Sequence, residues 1–256
     1  MESNLVQALK FVMQPVAVSF TDDKPDGARQ FAAGKRSCMA SALTAASKGE
    51  VYAVDEETCG CSGGGVGLCF GDTFTKRGHP TRYLLSTGSP NKEAAGANMS
   101  RHMREGERFF ASPELVDKWK DNFPFQDAPE RYVVFAPFAL VEANEPPDLI
   151  VFFANPDQLS ALVIMAGFNT GETINAIAPF GAACQSIVFA YGELKKEQPK
   201  AVMGYFDISQ RNSIPRDLLS LTVPFSLFLE MEADVDKSCL TTLSWELIDG
   251  RWLDEA

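Results

Sequence analysis

The chain has 256 residues, 45% of them hydrophobic and 22% charged, which is enough apolar material for a sizeable core and excludes global disorder. Asp and Glu total 34 against 23 Lys and Arg, a net charge of -11. That balance argues against nucleic acid and anionic membrane as partners, because both are held by positive surface.

In chain order, the opening Met1-Glu2-Ser3-Asn4 lacks a basic segment, and no small-residue cleavage site follows a long apolar core. Residues 16–20 read as a strand, closed by the turn-forming Asp22, Asp23, Pro25, Asp26 and Gly27. Residues 37–47 are rich in Ala and Leu and read as a helix ending near Gly49. Residues 50–55 read as a short strand, 59–71 as a cysteine- and glycine-rich loop, and 72–90 as polar loop. Helices are predicted over 91–105 and 113–122, and strands over 131–140 and 149–154.

Asn155 before Pro156 predicts a capped helix running to Phe168, with Gly171 as its breaker. A strand over 173–179, a helix over 182–194 and a strand over 201–208 follow. Residues 215–232 read as one long helix kinked at Pro224, and 237–248 as a last helix. This order predicts an α+β (mixed α/β) fold, a single domain over 1–256 with a central mixed β-sheet flanked by helices. The apolar run 149–154 is too short to span a bilayer, and the window 218–231 is broken by Pro224. The expected location is the cytoplasm, where structural disulfides are disfavoured.

The six cysteines then become candidate metal ligands, redox groups or buried thiols. Cys59, Cys61 and Cys69 fall within eleven residues, interleaved with Gly60, Gly63, Gly64, Gly65 and Gly67. Glycine tolerates positive φ, which would let the chain curl around a metal, and it exposes N–H groups that can bond sulfur. Cys38 and Cys184 stand at predicted helix starts, where the dipole and free N–H groups favour a thiolate. Cys239 reads as a core residue.

An iron–sulfur cluster wants sulfur ligands, commonly four. The expected set is Cys59, Cys61 and Cys69 with either Cys38 or Cys184, around a 4Fe–4S cluster. Zinc is the alternative cofactor, although its usual paired C-x2-4-C knuckles are absent. A thiol–disulfide couple is the third reading.

Other motifs are weaker. The glycine run lacks both the Walker ending and the G-x-G-x-x-G frame. The basic stretch 76–82 follows the cysteines and is a place for an anionic substrate or simply a solvated loop. His79 and His102 have no metal-ligand spacing, and His102 reads as surface. Asp207, at a strand end, is a candidate acid or base, or an ordinary turn aspartate. Phe70 and Phe180 are candidates for shielding a cluster from water. The expected role is electron transfer or cluster-based catalysis in anaerobic metabolism, with a redox protein or a small molecule as partner.

The sequence resembles the DUF169 family of uncharacterised bacterial and archaeal proteins over about residues 8–232. The resemblance is carried by Lys35-Arg36-Ser37-Cys38-Met39-Ala40, Lys48-Gly49-Glu50-Val51 and the Cys59 loop. It continues through Pro147-Asp148-Leu149-Ile150-Val151, Asn155-Pro156-Asp157-Gln158-Leu159 and Gly181-Ala182-Ala183-Cys184, then residues 204–211 and 214–223. It implies a common thiolate site at Cys38, Cys59 and Cys184, with Cys61 and Cys69 as additions to the commoner pattern. No reaction comes with it.

Overall fold

The computed structural model describes residues 1–91, 99–142 and 144–254. Seven strands form one mixed sheet: β1 (Val16–Thr21), β2 (Tyr52–Val54), β3 (Tyr132–Pro137), β4 (Leu149–Ala154), β5 (Ala176–Ile177), β6 (Ala201–Gly204) and β7 (Leu219–Pro224). Their order across the sheet is β2-β3-β1-β4-β7-β6-β5. Every neighbouring pair is antiparallel except β5 with β6.

The centre of the sheet follows from composition. All six residues of β4 are apolar, and a strand apolar on both faces needs cover on both faces. Leu149, Val151 and Phe153 face one hydrophobic layer with Met39, Leu43 and Ile187. Ile150, Phe152 and Ala154 face the other, with Leu162, Leu227 and Phe228. Phe152 and Phe153 are fully buried. Each such side chain contributes about 1.5–3 kcal/mol relative to exposure. The fold is α+β, with helices on both faces of the sheet.

The helix Pro156–Ala166 begins as its sequence dictates. Asn155 Oδ1 accepts from Gln158 N at 2.9 Å, and Gln158 Oε1 accepts from Asn155 N at 2.9 Å. The helix Met39–Ala46 starts after Cys38, which has an extended backbone. Both lie within a residue or two of expectation.

Several expectations fail, among them the strand read over 201–208, which ends at Gly204. Residues 219–224, read as part of a long helix, are instead strand β7, hydrogen-bonded between β4 and β6; only Phe225–Ala233 is helical. The buried slot between two strands overrides the helical reading, and Pro224 closes the strand. The stretch 59–71 is not all loop, because Ser62–Gly67 is a buried helix. The stretch 72–90 also holds short helices, Thr73–Lys76 and Thr81–Leu84. Of the helix expected over 91–105, Arg101–Glu105 is observed and 92–98 lie outside the described residues. The strand expected over 173–179 shortens to Ala176–Ile177. The last helix is Leu243–Asp254, preceded by 3-10 turns at Val235–Lys237 and Cys239–Thr241.

Among the described residues, no helix is long and apolar enough to cross a membrane.

Candidate functional site

The site lies on the face of the sheet covered by Met39–Ala46 and Ser186–Tyr191. Four cysteines reach it from separate positions. Cys38 caps its helix without a side-chain hydrogen bond there, and its Sγ donates to Gln210 Oε1 at 3.1 Å. Ser37 next to it accepts from Gly60 N at 2.9 Å and donates to the Thr58 carbonyl at 3.3 Å, which ties the Cys38 segment to the Cys59 segment. Gly60 has no substitute at this crossing, since a β-carbon there would stand 1.8 Å from the Lys35 carbonyl oxygen.

Cys59 follows a turn in which Asp55 Oδ1 accepts from Thr58 N at 2.9 Å. Arg77 donates to the carbonyls of Cys59 and Glu56 at 2.5 and 3.0 Å. Cys61 caps the helix Ser62–Gly67, and its Sγ accepts from Gly64 N at 3.3 Å. Cys184 sits in the 3-10 turn Ala183–Gln185, just before Ser186–Tyr191. Gln185 Nε2 donates to the Gly63 carbonyl at 3.1 Å, which fastens the two turns together.

The glycines between the thiols serve close packing. None of Gly60, Gly63, Gly64, Gly65 and Gly67 has positive φ, so curling around a metal is not their role. A β-carbon on Gly64 would meet Met39 Cγ at 2.4 Å, and one on Gly65 would meet Thr73 Oγ1 at 2.6 Å. The expected N–H to sulfur bond is present at Gly64. Tertiary contacts hold a helix that its glycine content disfavours.

Cys38, Cys61 and Cys184 line a cavity of about 310 Å³. Trp119, Phe180 and Phe74 line it too, as do Asp207 and Glu107. Cys38, Cys59 and Cys61 also border an adjoining open cleft. Among the described residues, no group of three or more His, Cys, Asp or Glu side chains is arranged to hold a metal ion.

Residues 4–234 match the family model of DUF169, described as uncharacterised ArCR. The chain belongs to the DUF169 family. Neither a curated protein nor a solved structure matches it. The match takes in the whole sheet and every residue of the cavity, and leaves out Cys239 and the helix Leu243–Asp254.

In this DUF169 chain Cys184 lies within electrostatic reach of three other thiols. Burial raises the Cys184 pKa well above the usual thiol value, and the neighbouring Cys61, Cys38 and Cys59 raise it further. Burial pushes Cys59 up to about 11, and Cys61 adds to it against the opposing backbone bond to Cys61 and the Arg77 charge. Cys38 is raised as well, chiefly by burial. Cys38, Cys59 and Cys184 are therefore protonated at neutral pH unless a metal displaces their protons.

Cys69 stands apart. The intervening helix rises roughly 9 Å between Cys61 and Cys69, at 1.5 Å per residue. Cys69 has φ 62° and packs with Val66, Phe74, Phe123 and Val188. Burial raises its pKa, and the charge that adds to this comes from Asp127 rather than from another cysteine. It lines neither cavity. Cys38 and Cys61 border both the cavity and the cleft, Cys184 the cavity and Cys59 the cleft, whereas Cys69 of the expected set borders neither. Cys239 packs partly buried against the opposite layer.

The basic stretch is spent on structure. Lys76 donates to the Phe70 carbonyl at 3.0 Å, and Arg82 pairs with Glu114 and Asp117 at 3.0 and 2.9 Å. Of the two phenylalanines expected to shield a cluster, Phe180 lines the cavity and Phe70 is core and does not. Gln210, Gln185, Glu107 and Trp119 carried no signal in the sequence, because they reach the site from distant segments. Asp207 does cap a turn, accepting from Ser209 N and Oγ at 2.9 and 2.7 Å, and it lines the cavity as well.

Proposed function

We propose that this DUF169 protein is a cytoplasmic iron–sulfur protein of anaerobic metabolism, with Cys38, Cys59, Cys61 and Cys184 as ligands of a 4Fe–4S cluster. The observation that carries the reading is that Cys38, Cys61 and Cys184 line one cavity while Cys59 borders the cleft adjoining it. Four soft sulfur donors fit such a cluster, and the Gly64 N–H to Cys61 Sγ bond is the kind of contact that tunes it. When bound, the cluster would supply one-electron transfer or a Lewis-acidic iron.

The chain's own residues would do the rest. Burial around Cys184 and Cys59 limits water access to the sulfurs. The cavity gives a small molecule room beside Cys38, Cys61 and Cys184, and the adjoining cleft brings Cys59 and Cys61 to an open surface where a redox protein can dock.

The test is anaerobic purification and reconstitution, with iron and sulfide assays, a visible spectrum and EPR. About four irons and about four sulfides per chain are the expected result for such a cluster. Colourless protein with iron far below one per chain sinks the proposal. One zinc and no sulfide would instead make this a zinc-loaded scaffold or sensor.

A further inference from the structure

The cavity carries a second feature that the thiols do not explain. Asp207 is only 8% exposed, and its Oδ1 is engaged by Ser209. Among the described residues its Oδ2 is neither hydrogen-bonded nor one of the buried polar atoms without a partner, and the side chain lines the cavity, which leaves that oxygen open to it. Glu107 lines the same cavity and is near enough for its charge to be felt at Asp207. Its Oε1 is 2.7 Å from Nδ1 of the exposed His102. A carboxylate oxygen left open at a cavity wall can accept from a cationic donor, a charge-assisted contact.

The wall opposite in character is aromatic. Phe180 packs edge-on against Phe109, with ring centres 5.5 Å apart, and Trp119 Nε1 donates to the Phe180 carbonyl at 3.1 Å, which fixes the indole beside it. Aromatic faces attract cations, and they shelter apolar groups from water. The volume of about 310 Å³ lies at the small end of ligand pockets.

The remaining ionisable groups leave this balance in place. Arg36 is exposed and borders the cavity and the neighbouring cleft alike. His79 has its pKa lowered by burial and then by Arg36, so it is neutral at pH 7, and its Nδ1 lies 2.9 Å from Thr81 Oγ1. An anion in the cavity would face two carboxylates against the single guanidinium of Arg36. A neutral ligand would leave Asp207 Oδ2 without a charged partner.

We infer that the cavity binds a small organic cation, a protonated amine with an apolar body, its ammonium group on Asp207 and Glu107 and its body on Trp119 and Phe180. This deepens the proposed function by naming its substrate class, and it rests on reading the cavity as the substrate site. It does not require the cluster, so metal-free protein tests it separately.

The experiment is calorimetric titration of the metal-free full-length chain with benzylammonium, benzyl alcohol and benzoate. Benzylammonium should bind at one site, benzyl alcohol about tenfold more weakly, and benzoate not measurably; tenfold is the loss of one charge-assisted contact. Asp207→Asn keeps an oxygen to cap the turn and removes the charge, so it should weaken benzylammonium by about tenfold with an unchanged circular dichroism spectrum. Glu107→Gln should weaken it too, and carries the test if Asp207→Asn does not fold. No binding of benzylammonium overturns the inference. So does equal binding of all three probes, or benzylammonium binding untouched by removal of a cavity carboxylate, which would mark attraction to an acidic surface only.

Discussion

Gly67 lies directly against Cys184. A β-carbon at position 67 would stand 3.0 Å from the Cys184 carbonyl oxygen and 3.2 Å from its Sγ. The last turn of one short helix thus sets where the thiol of another segment comes to rest. Gly67→Ala should move Cys184, because backbone and sulfur both stand in the way. Iron uptake after reconstitution should fall well below that of the natural chain. Stability should change by less than about 1 kcal/mol, since the better helix propensity of alanine offsets the crowding. Iron per chain and a thermal melt read the two effects apart, and unchanged iron loading would show that Cys184 is not a ligand.

Gly60→Ala is the harsher change. Its β-carbon would stand 1.8 Å from the Lys35 carbonyl oxygen and 2.8 Å from Ser37 N, both backbone atoms with no rotamer to escape into. We expect a loss of about 1–3 kcal/mol, the usual cost of overpacking. Urea denaturation measures it, and an unaltered midpoint would contradict the crossing described for residues 35–37 and 60.

The cysteines divide into two classes. Cys38→Ser, Cys59→Ser, Cys61→Ser and Cys184→Ser should each abolish or deplete a cluster, whereas Cys69→Ala should leave the visible spectrum and iron content unchanged. Cys69→Ala should still cost about 1 kcal/mol of stability, because a buried sulfur is lost from the packing around Phe74 and Phe123. Loss of the cluster in Cys69→Ala would put that thiol back among the ligands.

Asp148 makes stability depend on pH. Burial raises its pKa above the ordinary carboxylate value, Glu130 adds to this, and the Phe20 N–H bond at 2.8 Å opposes it. The folded state therefore holds this proton more tightly than the unfolded state. The resulting stabilisation is full below the unfolded pKa of about 3.9 and is lost as pH rises through the folded value. Asp148→Asn should remove that dependence, and at pH 7 it should be at least as stable as the natural chain, since the amide oxygen can still accept from Phe20. Unfolding free energies of both proteins from pH 3 to 7 check the sign. A gap between the two that narrows as pH rises from 4 to 6 with the natural chain gaining would refute it.

The local signals in the chain were of unequal quality. The apolar run Leu149–Ala154 and the Asn155-Pro156 start are strong because strand and cap are each specified by neighbouring residues. The run Leu219–Pro224 is apolar in a way that suits helix or strand. It becomes strand β7 because β4 and β6, far away in sequence, offer hydrogen bonds on both edges. The helix Ser62–Gly67 is the opposite case, since its residues disfavour helix and only the packing against Met39, Thr73 and Cys184 explains it.

Composition and spacing alone determined that this is a core-forming α+β chain, and that its thiols are its most distinctive chemistry. Which thiols meet was decided by the tertiary structure. Cys61 and Cys69 are eight positions apart, yet a helix separates them, while Cys184 arrives beside Cys38 and Cys61 through contacts spanning more than a hundred residues. Sequence spacing constrains only what the intervening backbone leaves flexible. Once that backbone hydrogen-bonds into a helix, its ends are held apart, and proximity belongs to the segments that pack across the sheet.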